Sequence, residues 1–325
     1  MAAVDVVIMA AGKGTRMKSS RPKVLHRLAG RALIRHVVDT VGGLKVRRIV
    51  LVTGHGAQQV QSHLGTTGAA GQPLAYALQE PQLGTGHAVQ QALPLLADDG
   101  VTLILNGDVP LISAGTLQSL LAACDGRRLA LLTVDMPDPT GYGRIVRQGE
   151  SVAAIVEHKD ATPAQRAIGE IYTGVMAVPT ARLKTWLGRL TPNNAQGEYY
   201  LTDIVKFAVA DGDTVVALRT EDRLEVEGVN SPVQLAALER ALQLRTAHAL
   251  MEEGVRLADP ARLDVRGSLQ CGPDVEIDVG CVFEGQVSLA EGVRIGAHCV
   301  IANAQIEAGA VIHPFTHIDG ERAGA

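Results

Sequence analysis

Between Val265 and Ile318 an apolar residue returns at every sixth position: Val265, Cys271, Ile277, Phe283, Leu289, Ile295 and Ile301, then, after one five-residue step, Ile306, Ile312 and Ile318. Four positions beyond these stand mostly small or branched residues, among them Val275, Cys281, Val287, Val293, Cys299, Ala310 and Thr316. Chance alternation in a β-sandwich would not hold its phase through so many repeats. A sustained period of six predicts a parallel β-helix, whose short strands stack coil on coil and bury their inward side chains together.

Upstream the rhythm is different. As far as about Asn230, strand-like runs at Val4–Ala10, Arg48–Thr53, Leu74–Leu78, Thr102–Leu105 and Leu129–Val134 alternate with helix-length segments at Pro22–Val41, Ala57–Leu64, Thr85–Ala97 and Ser113–Cys124. This βαβ alternation predicts a doubly wound α/β sheet. A connecting helix follows, with Ser231 as its cap, Pro232 in its first turn and an apolar stripe through Leu235, Leu238, Ala241, Leu242, Ala249 and Leu250. The expected domains are therefore 1–232, a linker helix over 233–253, and a partial β-helix over 254–325.

The first strand runs into Ala10-Ala11-Gly12-Lys13-Gly14-Thr15-Arg16-Met17, with Pro22-Lys23 shortly after. Glycines at 12 and 14 permit close backbone approach, so peptide N–H groups can converge on phosphate oxygens, and Lys13, Arg16 and Lys23 add positive charge. A P-loop needs wider glycine spacing and a Lys where Thr15 stands, while the dinucleotide fingerprint needs Gly or Ala at Met17 and a ribose-binding acid that Asp39 supplies poorly. An ordinary glycine-rich turn is the bland alternative. Ligands of such sheets gather beyond the carboxyl ends of the strands, where Gly12, Thr53-Gly54-His55-Gly56 and Asn106-Gly107-Asp108 all fall.

Composition narrows the classes. A length of 325 residues with 46% hydrophobic content suits two folded domains, and a net charge of -4 without a long basic cluster argues against a nucleic-acid groove. Cys124, Cys271, Cys281 and Cys299 lack metal-ligand spacing and read as buried thiols of a cytoplasmic protein. No segment has the apolar length of a membrane span, and the amino terminus lacks a signal-peptide pattern.

The pattern Gly-x-Gly-Thr-Arg-Met with Pro-Lys resembles the signature of sugar-nucleotide pyrophosphorylases. Further segments in order are Gln79–Ala88, Asn106–Leu111, Pro139–Ile145, Ile155–Ala161, Asn194–Asp203 and Val226–Asn230. Together they resemble the bacterial bifunctional N-acetylglucosamine-1-phosphate uridyltransferase/glucosamine-1-phosphate acetyltransferase family over nearly the whole chain. The resemblance implies a Rossmann-like nucleotidyltransferase domain followed by a left-handed β-helix of three hexapeptides per coil. About three coils are fewer than the family's acyltransferase domain has, so acetyl transfer is expected absent, and His298, His313 and His317 read as corner or surface residues. A homotrimer through the β-helix is expected, with no membrane or nucleic-acid partner.

The implied substrates are UTP and N-acetylglucosamine 1-phosphate, and the product UDP-N-acetylglucosamine serves cell-envelope precursor synthesis. Because the attacking sugar phosphate is already an anion, the reaction needs alignment and charge screening more than a strong base. Asp108, beyond an apolar strand, is the expected Mg²⁺ ligand; the resemblance adds Asn230, which could equally be a turn residue. Arg16 and Lys23 are assigned to the triphosphate as catalytic cations, and Lys13 stays open as a solvated loop cation. By resemblance Met9, Ala10, Ala11 and Gly12 contact uridine through their backbone, Gln79, Gly84 and Thr85 read uracil, and Asn106 and Gly107 adjoin the site. Gly143, Glu157 and Tyr172 line the sugar side, with a Glu157–Lys159 surface pair as the alternative for Glu157. Tyr172 stands where the family usually has Asn, and Asn106 where an aromatic is often found. Another sugar-1-phosphate nucleotidyltransferase, for glucose or mannose, and a non-catalytic β-helical assembly module are the competing readings.

Overall fold

The computed structural model describes residues 2–320. The last five positions of the expected β-helix segment lie outside the described residues. The chain forms two compact units, one from residues up to 25 together with 33–230, the other from 26–32 together with 231 onward.

In the first unit, Val4–Ala10 is an interior strand of the sheet, its apolar side chains covered on both faces as a parallel strand requires. Across the main sheet the order is Val215–Arg219, Leu129–Asp135, Glu170–Pro179, Val101–Asn106, Val4–Ala10, Arg48–Thr53 and Leu74–Leu78. The last four strands run parallel. Glu170–Pro179 is antiparallel to both its neighbours, and the hairpin of Arg144–Gln148 and Ser151–Val156 pairs with its start. Asp5, the one charge in the first strand, is fully buried. Arg47 grips it with Nε and Nη2 at 2.9 and 2.7 Å, and the Ala97 amide donates at 3.2 Å. That fork satisfies the carboxylate where water cannot.

Two helix expectations need correction. The segment Pro22–Val41 is not one helix: a 3₁₀ turn at Lys23–Leu25 gives way to a tight hairpin of Arg27–Leu28 and Arg31–Ala32, and only Leu33–Gly42 is α-helical. Ala29 and Gly30 turn the hairpin with φ of 46° and 79°, values foreign to a right-handed helix. The helix expected over Thr85–Ala97 ends at Ala92, with a 3₁₀ turn at Leu93–Leu95 where Pro94 has no amide to continue the ladder.

Besides the hairpin segment 26–32, the second unit contains the helix Pro232–Glu252, whose Ser231 cap accepts from the Gln234 amide at 3.2 Å. Gln243, buried, mimics a strand: its Oε1 accepts from Val265 N at 2.7 Å and its Nε2 donates to Val265 O at 2.9 Å. Ala247 and Leu250 of the same helix join the core of the coils. The coils themselves are parallel. Val265 faces Phe283 and Glu276 faces Arg294, a repeat of 18 residues, whereas beyond the five-residue step Ser288 faces Gln305 and Val300 faces His317, a repeat of 17. The sixfold residues Val265, Ile277, Phe283, Leu289, Ile295 and Ile301 are buried as the period requires. At the corners the backbone takes left-handed φ, at Gly285 and Asn303 in one column and at Gly280, His298 and Phe315 in another. His298 stacks on Phe315 at 5.3 Å, which gives the histidine a structural corner role.

All four cysteines are free; Cys124, Cys281 and Cys299 are buried, and burial pushes the Cys124 and Cys271 thiols up to about 11. Among the described residues no helix is long and apolar enough to cross a membrane.

Candidate active site

Parallel pairing aligns the strand ends. Met9 lies opposite Asn106, Ala10 opposite Thr53, and Thr53 opposite Leu78, so the residues that follow, Ala11, Gly54, Gln79 and Gly107, make one rim in the first unit. Backbone bonds draw that rim together: Gly107 N donates to Met9 O at 2.9 Å and Gln79 N to Thr53 O at 2.8 Å. Above it the phosphate-sized loop rises through Gly14, with φ of 60°, into the 3₁₀ turn Thr15–Met17. A Cβ on Gly14 would stand 2.7 Å from Lys23 Cβ, whereas one on Gly12 would meet nothing within 4 Å. Gly12 therefore faces open space, as a ligand cradle must.

Lys23, Asp108 and Asn230 converge. The Lys23 ammonium lies 2.5 Å from Asp108 Oδ2 and 2.9 Å from Asn230 Oδ1, and Val229 N donates to Asp108 O at 3.0 Å to hold the two oxygen-bearing segments side by side. One carboxylate and one amide oxygen thus already share a single cation. Among the described residues no three His, Cys, Asp or Glu side chains gather as a metal cage. A hard divalent ion that keeps waters and substrate phosphates in its shell fits this sparse oxygen pair. Arg16 is exposed in the turn beside it, as is Lys13 in the loop. Burial raises the Tyr142 hydroxyl, with Glu227 and Asp108 adding and Arg16 opposing, which puts Arg16 and Asp108 within electrostatic reach of one phenol.

The expected uracil-reading residues are closely engaged. Gln79, buried, donates from Nε2 to Gly84 O at 2.9 Å and lies 3.2 Å from His87 Nδ1. Thr85 Oγ1 accepts from Leu201 N at 3.1 Å, and Gly86 N donates to Tyr199 O at 2.7 Å. Gly84 has φ of 106° with Tyr199 O 2.7 Å from where a Cβ would be. This loop is braced as a rigid edge.

On the sugar side, Tyr172 N donates to Gly143 O at 2.9 Å, and Glu157 Oε1, 3.6 Å from a Cβ on Gly143, accepts from Thr202 Oγ1 at 2.9 Å. Burial lifts the Glu157 carboxyl above its usual range, the Thr202 bond opposes that, and Asp203, Asp160 and Glu198 add to it. Lys159 is exposed, and the hydrogen bond to Thr202 is the contact Glu157 makes instead of the surface pair. Tyr172 is buried, with a hydroxyl that has no hydrogen-bond partner among the described residues. Asn106 lies against Gly174, where any Cβ would collide with its amide. Sequence reasoning missed Thr202 and Arg144 as members of this wall, although both lie inside motifs already singled out.

A MobA-like NTP transferase domain matches residues 6–168. The chain is 67% identical to the bifunctional protein GlmU of Albidiferax ferrireducens, over 99% of its own length and 70% of the relative's. The belonging is plain. This chain is a member of the GlmU family. The GlmU proteins of Methylibium petroleiphilum, at 66% identity, and of a Polaromonas species, at 68%, match 99% of the chain as well, and 71% and 70% of their own lengths. Among solved structures, one assigned as a glucose-1-phosphate thymidylyltransferase from Bacillus anthracis aligns with a TM-score of 0.60 at 20% identity, over 74% of this chain and 95% of that one. At that identity the likeness speaks for the fold. GlmU membership and the NTP transferase match agree with the fold class read from the sequence, α/β nucleotidyltransferase followed by parallel coils.

Proposed function

We propose that the chain transfers uridylyl from UTP to N-acetylglucosamine 1-phosphate, giving UDP-N-acetylglucosamine and pyrophosphate. The observation that carries this reading is the meeting of Lys23 with Asp108 and Asn230 at the carboxyl ends of the sheet, under an open glycine cradle. The sugar phosphate attacks the α-phosphorus, the bond to the β-phosphate breaks, and pyrophosphate leaves with its electron pair. Lys23 and Arg16 bear on the charge that moves from the α-phosphate to pyrophosphate, Lys23 as a point charge and Arg16 as a planar fork. Mg²⁺, held by Asp108 and Asn230, would supply screening between the approaching phosphates. The backbone of Met9, Ala10, Ala11 and Gly12 carries the uridine, with Gln79, Gly84 and Thr85 at the uracil edge and Gly143, Glu157 and Tyr172 around the sugar. The reading also includes a cytoplasmic enzyme that assembles as a homotrimer through its coils.

A pyrophosphate-release assay across four nucleoside triphosphates and the 1-phosphates of N-acetylglucosamine, glucose and mannose tests the substrates. UTP with N-acetylglucosamine 1-phosphate is expected to exceed every other pair, and a different preferred pair refutes the assignment. Asp108→Asn should cut turnover by orders of magnitude while the chain stays folded, since the amide cannot supply the carboxylate's charge. Near-normal turnover in that variant would rule out Asp108 as the metal ligand.

A further inference from the structure

Arg144 is among the most deeply buried charges of the first unit. Its residue surface is 1% exposed, yet among the described residues it forms no ion pair. Its hydrogen bonds go to carbonyls and an imidazole rather than to a carboxylate: Nη1 donates to Tyr142 O, Nε and Nη2 each donate to Arg166 O at 3.4 Å, and Nη2 lies 3.2 Å from His158 Nδ1. Burial lowers the pKa of this guanidinium, with the Asp138 charge opposing and that of Arg166 assisting. Enclosing a cation among carbonyls is costly, and stability alone is often served as well by apolar packing. The placement of its contacts gives the arrangement a purpose.

In the backbone ladder Arg144 pairs with Val156 on one side and Ile171 on the other. The neighbours of these three residues are Gly143, Glu157 and Tyr172, the residues assigned to the sugar. The side chain then holds the far flanks, Tyr142 just before Gly143 and His158 just after Glu157. A planar fork with five donors can hold several segments at fixed angles, which an ammonium cannot do equally well. Arg166, whose carbonyl completes the clasp, is itself set by the Thr162–Gln165 capping box and donates from Nε to His158 O at 3.2 Å.

We infer that Arg144 is a positioning residue for the acceptor: it fixes Gly143 and Glu157 from behind and so sets affinity for the sugar phosphate without touching it. The inference rests on the proposed sugar side of the site. Nucleotide binding, built on the Gly12 loop and on Gln79, should not depend on it.

The test measures KM separately for N-acetylglucosamine 1-phosphate and UTP, together with UTP binding by calorimetry and the melting temperature, in Arg144→Met, Arg144→Lys and His158→Gln. Arg144→Met is expected to raise the sugar-phosphate KM about tenfold or more while UTP affinity stays within about twofold, as loss of hydrogen bonds to a charged group implies. Arg144→Lys should recover part of the loss. His158→Gln, which removes only one partner, should move the same KM less and serves if Arg144→Met does not fold. An unchanged sugar-phosphate KM, or equal rises in both constants with a lowered melting temperature, overturns the positioning role. Wild-type protein that does not use N-acetylglucosamine 1-phosphate refutes the underlying substrate reading, and the positioning role falls with it before any variant is made.

Discussion

Gly12 and Gly14 stand two residues apart in the same loop, and an added methyl should have opposite consequences at each. A Cβ on Gly12 meets no atom within 4 Å, and the residue has no positive φ, so Gly12→Ala leaves the folded chain unstrained. Reduced freedom of the unfolded chain should then stabilise the variant by about 0.4–1 kcal/mol, or roughly 1–4 °C in melting temperature. Its methyl, however, takes the space in which the nucleotide must touch backbone. Overpacking by one such group costs about 1–3 kcal/mol, a loss of roughly 5- to 150-fold in UTP affinity. Gly14→Ala differs because φ is 60° and Lys23 Cβ is 2.7 Å from the new carbon. Left-handed strain of about 1–2 kcal/mol and the displaced Lys23 should lower the melting temperature by roughly 5–15 °C. Calorimetry with UTP and thermal melts on both variants decide the matter. Gly12→Ala that binds UTP within about twofold of the parent, or Gly14→Ala that melts with it, refutes the reading of this loop.

Other outcomes follow from the same geometry. Because the Glu157 carboxyl is held above its usual range, its charge disfavours the folded state, so stability should decline as pH rises through the folded value. Glu157→Gln should abolish that decline and melt higher than the parent at pH 8 while raising the sugar-phosphate KM; a lower melt at pH 8 contradicts this. Asp5→Ala removes the acceptor of the Arg47 fork and of the Ala97 amide and should cost about 3–5 kcal/mol, read by chemical denaturation, with KM for UTP unaltered. The braced edge at Gln79 and Gly84 should favour UTP over GTP by about 10⁴ in kcat/KM, and comparable rates would dismiss base reading by directed hydrogen bonds.

What could be read in advance depended on local periodicity. Strands such as Val4–Ala10 and Arg48–Thr53 emerged with their observed limits because buried parallel strands are continuous apolar runs. The sixfold repeat, with the three hexapeptides per coil that the resemblance implies, matches the 18-residue register, and its single five-residue step reappears as the change to 17. The hairpin at Arg27–Ala32 escaped because two-residue strands carry no period, and its turn uses Ala29, which does not advertise a positive φ. Glu170–Pro179 escaped in a different way: nothing in a strand's composition reveals that it will enter a parallel sheet antiparallel. Within the candidate site, Lys23 and Asp108 were assigned separate tasks, and their direct contact across 85 residues of sequence needed the fold. Arg144 lies within the segment Pro139–Ile145 singled out in the sequence, but only tertiary structure reveals its enclosure.

The hairpin has a consequence for inheritance. Residues 26–32 belong to the second unit while the chain on both sides of them belongs to the first, so no single cut separates the units. A fragment ending at Asn230 keeps Ala29 but loses Glu239, whose carboxylate receives the Ala29 amide at 2.7 Å, and Arg266, whose Cβ lies 3.1 Å from where a Gly30 Cβ would stand. Recombination between two relatives at the obvious junction would accordingly pair one parent's hairpin with the other parent's helix and coils. A functional chimera needs two crossovers upstream as well as one downstream, which ties the descent of the two units together more firmly than their separate cores suggest.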